Sequence, residues 1–325
     1  MNRKERVAAI LAGKPADRVP MGFWLHFPSE AFHGDAAVEA HMKFFAESRT
    51  DICKVMNENL CPCGHDISSA GDWKKVRPYR RNSSFIQDQA DIVKRITDRI
   101  AGDAPVVVTI HGIFASASHT LLGVPKYDTI GRYAQIYHLR TDPDSVLSAY
   151  RAIAETLTNL CEACLDAGAD GIYFAALGGE RDGLTDEEHA KYLAPLEIGI
   201  LNETRAKSAM HFLHMCKPHV DPRRFVDYPC DVYNWGVLES GTSLAEGYDI
   251  FPGKVMMGGL DDRSPALLSG SYEEIEAEVH AILQSVDHRR FILASDCTLP
   301  ADLPYDRVAM LERACESYQP VMAAV

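Results

Sequence analysis

No run of about 18 apolar residues occurs anywhere in the 325-residue chain, which excludes a membrane-spanning helix. Basic residues are in deficit: 33 Lys and Arg stand against 46 Asp and Glu, a net charge of −13. So acidic a chain repels phosphate backbones, so nucleic acid is not an expected partner unless basic residues gather locally. No Gly-x-Gly-x-x-Gly turn follows the first apolar run, which argues against a dinucleotide-binding fold. The charged start, Met1 to Arg6, has no apolar core after it and is not read as a signal peptide. No low-complexity stretch, short repeat or linker divides the chain, and residues 1–325 are read as one domain. What is present is an apolar fraction of 46%, enough for a sizeable core, and nine cysteines. An odd cysteine count without a secretory signal predicts reduced thiols in the cytoplasm, not a disulfide framework.

One alternation runs from end to end. Short apolar, β-rich runs alternate with longer stretches of helical period. The runs Val19–Phe27, Ile52–Met56, Val106–His111, Gly171–Ala175, Met210–His214, Val232–Trp235, Val255–Met257 and Phe291–Ala294 predict eight strands. Helices are predicted over Ser145–Ala167 and Tyr272–Ser285, where apolar residues recur at spacings of three and four. Strands separated by helices run parallel. Eight such units favour an α/β fold of the (β/α)8 TIM-barrel type over an open sheet. A helical extension, Arg3–Leu11, precedes it. The irregular segment 57–90 is placed over the top of the barrel. In such a barrel chemistry sits where the strands end.

At those ends stand His26, Glu58, His111, Glu180, Asn234, Gly259 and the pair His214-x-Cys216, with Cys297 after the last strand. One imidazole and two thiolates make a soft donor set suited to zinc, and three ligands leave a fourth position for water or substrate. The bland reading is a strand-end histidine and two small core residues, and spacing alone leaves both open. Cys61-Pro62-Cys63-Gly64-His65 resembles a metal clip but lacks a clear fourth ligand. Cys161 and Cys164 lie inside a helix and are read as core. Lys74, Lys75, Arg77, Arg80 and Arg81 form a basic cluster, read as a solvated face or a contact for an acidic partner.

These residues carry a resemblance. Asp17-Arg18-Val19-Pro20, Leu213-His214-Met215-Cys216, Asp231-Val232-Tyr233-Asn234-Trp235, Gly258-Gly259-Leu260-Asp261, the run Phe291-Ile292-Leu293 leading to Cys297, and Leu303-Pro304 before a last helix resemble the uroporphyrinogen decarboxylase superfamily along nearly the whole chain. The resemblance implies a (β/α)8 barrel. It also implies where a decarboxylase would differ. That branch carries arginines after strand one, an aspartate after strand two and a Gly-His-Gly after strand eight. Here those places hold Met21–Pro28 without arginine, Asn57-Glu58 and Asp296-Cys297-Thr298. The other branch, the zinc-dependent methyltransferases that use methylated corrinoid proteins, has His-x-Cys and a distant Cys as zinc ligands. His214, Cys216 and Cys297 match it; Lys217 stands where a glycine often follows.

The resemblance therefore implies zinc and a corrinoid carried by a partner protein, with a small thiol as methyl acceptor. Run in the other direction, it implies a methoxy or methylamine-type donor. In this reading Glu180 or Glu58 supplies a catalytic carboxylate. His26, His111, Asn234 and Gly259 are cofactor-binding positions. Trp24, Phe27, Phe114 and Tyr173 suit an aromatic substrate. None of the strand-end candidates supplies a cation for an anionic thiol such as a sulfonate.

Overall fold

The computed structural model describes residues 1–61, 64–121, 123–124 and 128–319. Seven strands form one parallel sheet in sequence order: β1 Cys53–Val55, β2 Val106–His111, β3 Gly171–Ala176, β4 Met210–Met215, β5 Val232–Trp235, β6 Val255–Leu260 and β7 Phe291–Ser295. Buried on both faces, they read as near-continuous apolar runs, as parallel strands do. Pairing sets Ala175 beside His214 and His214 beside Asn234, so strand ends that carry polar side chains meet at one rim.

The helices between strands start where local chemistry allows. Helix Pro143–Asp166 begins two residues before the expected position, because Pro143 fits the first turn and the Asp142 carboxylate accepts from Ser145 N at 3.2 Å. Gly168, at φ +108°, takes the chain out of it. Helix Tyr272–Gln284 opens on a capping box between Ser271 and Glu274, and helix Arg3–Leu11 on one between Asn2 and Glu5.

The first expected strand is not a strand. Segment 19–27 touches the sheet through single bridges, Met21 to Leu293 and Leu25 to Leu299. Its backbone nevertheless bonds β7 on one side and the residue pair before β1 on the other. Gly22 N donates to Leu293 O at 2.9 Å, and Asp51 N donates to Met21 O at 2.8 Å. A ladder cannot grow on the β1 side. The Met21 N–H is taken by the Asp51 carboxylate at 2.8 Å, and the Met56 N–H by His41 Nε2 at 2.9 Å, which ends β1 after three residues. The sheet is thus TIM-barrel-like, with seven regular strands and an irregular stave.

Asp51, fully buried, also holds Arg6 and Arg18 at 2.6 Å, and Arg18 reaches Glu312 on the last helix, Tyr305–Ser317, at 2.9 Å. Asp17-Arg18-Val19-Pro20 thereby ties the two ends of the chain together. Among the described residues of segment 57–90, none lines the cavity described below. Tyr79 N bonds Thr156 Oγ1 and Asn159 Nδ2 bonds Tyr79 O, docking it on the outer helix Pro143–Asp166. Its basic cluster is partly used internally, Lys75 on Asp72 and Arg81 on Glu162 and Asp166. Cys61 is buried and His65 exposed; Cys63 lies outside the described residues. Among the described residues no helix is long and apolar enough to cross a membrane.

Candidate metal centre and its cavity

Strand alternation sends His214 and Cys216 to the inside while Met215, between them, packs outward with no exposed surface. At the end of β7, Ser295 and Asp296 turn the chain so that Cys297 meets them. The ligand atoms of His214, Cys216 and Cys297 lie within 4.8 Å of one another, and Cys297 Sγ is 3.8 Å from His214 Nε2. Zinc bonds of about 2.0–2.3 Å place tetrahedral donor atoms roughly 3.3–3.8 Å apart, so the three fit one ion with little movement.

The imidazole is oriented by Asn234. Its Nδ2 donates to Met257 O at 2.9 Å and Ser295 O at 3.2 Å, which leaves Oδ1 as the acceptor. That oxygen receives Tyr173 OH at 3.0 Å and His214 Nδ1–H at 2.5 Å. The proton of neutral His214 therefore sits on Nδ1, and the Nε2 lone pair faces Cys297. This is the arrangement in which outer hydrogen bonds fix a histidine ligand.

The two sulfurs are hydrogen-bonded to each other. The hydrogen bond from Cys216 holds the Cys297 thiol well below its usual range against the opposing effect of burial, with His214 assisting. The same bond, and then burial, push Cys216 well up. By contrast, burial raises Cys53, Cys164 and Cys315 to about 12, which makes them inert packing residues.

The three candidate ligands border a cavity of about 690 Å³. Trp24, His26 and His111 also line it; Glu58, Glu180, Asn234 and Gly259 are not among its lining residues. Glu58 sits just behind, accepting from Phe27 N at 3.0 Å and paired with His26 Nδ1 at 2.9 Å. Glu180 is 4% exposed and pairs with Arg132; it also accepts from Gly178 N. Gly258 and Gly259 have φ of +138° and +91°, and Gly259 N donates to Asp296 Oδ1 at 3.0 Å. They turn the end of β6 onto Asp296; a Cβ at Gly258 would stand 3.3 Å from Asn234 Nδ2. Of the four aromatics, Trp24 and Tyr173 line the cavity. Phe27 packs on His41 and Phe44, and Phe114 lies buried among core residues.

Three residues escaped the sequence reading. Asp296 accepts from Val237 N at 2.7 Å as well as from Gly259 N, so it joins the ends of β5 and β6 beside Cys297; burial raises its carboxyl to about 7. Arg132, on helix Thr129–Thr141, brings a guanidinium to the cavity through its Glu180 pair. Lys54, in the middle of β1, lines the cavity and is 9% exposed. Its signal was present: a lysine inside an apolar strand is rarely buried without a reason.

The family described as uroporphyrinogen decarboxylase (URO-D) matches residues 55–318. No curated protein matches the sequence. A methyltransferase from Methanosarcina mazei is similar in structure, with a TM-score of 0.75 at 17% identity over 97% of this chain and 98% of that one. A B12-independent methionine synthase from Shewanella sp. W3-18-1 gives a TM-score of 0.61 at 14% identity over 92% and 97%. At such identities these likenesses speak for the fold.

Proposed function

Since the chain belongs to the uroporphyrinogen decarboxylase family, we propose that it is a zinc-dependent methyltransferase that moves a methyl group between a corrinoid protein and a small thiol. The observation that carries this reading is the convergence of His214, Cys216 and Cys297 at the wall of one cavity, with the histidine tautomer already set. Zinc held there would stabilise the thiolate of an incoming thiol, which is mostly protonated at neutral pH. The chain's own residues do the rest. Asn234 keeps Nε2 of His214 available as a donor atom. Tyr173 and Trp24 pack against the imidazole at ring separations of 5.9 and 6.1 Å and shield it from water. The cavity leaves room for a small substrate beside the donor set. A corrinoid protein would present its methyl group at the open end.

The donor-side reading, demethylation of a methoxy compound, drew on four aromatics, of which two line the cavity. Decarboxylation drew on arginines that Met21–Pro28 does not contain. Metal analysis tests the proposal first. Purified protein is expected to hold close to one zinc per chain, lost in Cys297→Ala. Methylcobalamin with added thiol is then expected to lose its methyl group, read as the cobalamin absorbance change. Protein without zinc affinity refutes the reading.

A further inference from the structure

Lys54 has no part in the metal centre, yet the fold spends a buried position on it. Neighbouring Cys53 and Val55 point to the other face of β1, while Lys54 enters the cavity. Its Nζ lies 4.2 Å from the Tyr173 ring and 4.5 Å from the Trp24 ring, and 3.0 Å from Met56 Sδ. Among the described residues no carboxylate lies within ion-pair distance of it, although the side chain is nine-tenths buried. The other cations of the cavity differ. Arg132 is committed to Glu180 and Arg263 to Asp262, and Lys217 stands half-exposed. Ring faces and a sulfur tolerate both forms of an amine: they attract the ammonium without locking it as a carboxylate would.

Groups from every side act on Lys54. Glu58 beyond β1, Cys216 after β4 and Cys297 after β7 favour its charged form. His41 and His111, which also feel the Lys54 charge, are pulled down mainly by burial to about 4 and about 3, so they are weak bases and stay neutral where Lys54 titrates. Burial is the largest influence on Lys54 and brings it down to about 7.

We infer that Lys54 is the base that accepts the proton of the acceptor thiol inside the cavity. The inference rests on the thiol reading above. The S–H bond breaks with its electron pair staying on sulfur, and the neutral amine of Lys54 forms an N–H bond. Thiolate and ammonium then share the cavity without net change in charge, and the ammonium returns its proton to water after the methylated product leaves. Without such a base the proton must go to bulk solvent on binding.

The test follows that proton. Protein loaded with cobalt(II) in place of zinc is titrated with 2-mercaptoethanol between about pH 7.5 and 8.5, reading the sulfur-to-cobalt absorbance. Wild type is expected to bind with an affinity that changes by less than about threefold, because no proton leaves. Lys54→Met and Lys54→Arg, each still holding cobalt, are expected to gain about tenfold over that unit, because each releases one proton. Arginine keeps the charge but cannot accept a proton. A tenfold gain in all three proteins overturns the inference, as does a wild-type-like response in Lys54→Arg. Absence of the absorbance band in wild type overturns instead the thiol reading itself.

Discussion

Asn234→Ala separates the support of the metal centre from its ligands. The substitution removes four buried hydrogen bonds: two accepted by Oδ1, from His214 and Tyr173, and two donated by Nδ2, to Met257 O and Ser295 O. His214 keeps its place on β4 but loses the acceptor that holds the proton on Nδ1. Loss of such an outer partner lowers metal affinity by roughly 10- to 100-fold, or about 1.4–2.7 kcal/mol. Each orphaned buried partner costs about 1–3 kcal/mol, and these costs overlap where water can enter, so a stability loss of roughly 3 kcal/mol is expected. Competition against a chromogenic zinc chelator gives the first quantity; thermal unfolding of the metal-free protein gives the second. Asn234→Asp is the informative partner. Its carboxylate still accepts from His214 but turns an oxygen toward Met257 O and Ser295 O, so stability should fall while zinc affinity holds. A folded Asn234→Ala protein binding zinc within about twofold of wild type would refute the argument, because the tautomer would then not depend on Asn234.

Other outcomes follow from the packing and the buried charges. Lys217 has φ +91°, a left-handed conformation, and Lys217→Gly should raise stability by about 1 kcal/mol in urea unfolding. Gly171→Ala should lower it by about 2–4 kcal/mol, since a Cβ would lie 2.2 Å from Met210 O in the paired strand and the backbone must move; an unchanged urea midpoint would contradict this. Burial raises the Glu197 carboxyl from 4.5 to about 8. The folded protein therefore keeps the proton over a range where the unfolded chain has lost it. Stability owed to this group is full below about pH 4.5 and falls as pH rises toward about 8, on the order of 1 kcal/mol per unit. Glu197→Gln should accordingly gain on wild type across that window, and parallel stability curves would count against it.

The sheet was legible because parallel strands buried on both faces leave apolar runs, and β2 to β7 fall where those runs lie. The first run failed for a reason outside it: Asp51 and His41 take the N–H groups a ladder would need. His214, Cys216 and Cys297 were legible as candidate ligands because each stands at or just after the end of a strand at the same rim. Glu180 was legible as a strand-end carboxylate but not in its partner, since Arg132 lies 48 residues away on another element. Lys54 was hidden by its own strand, where five consecutive positions read as core. Asn234 and Gly259 were marked for contact with a ligand, whereas the structure turns them toward the protein, one to hold an imidazole and one to bend β6.

Asp296 gives the centre a property that distances alone do not express. Its carboxylate grips the backbone of Val237 and Leu238 after β5 and of Gly259 on β6, while the next residue along the chain is Cys297. Leu238 is 70% exposed at the edge of the cavity. One carboxylate therefore holds both the loop that carries the exposed Leu238 and the chain position next to Cys297. The wall of the cavity mouth and the last of the three donor residues thus share a single anchor.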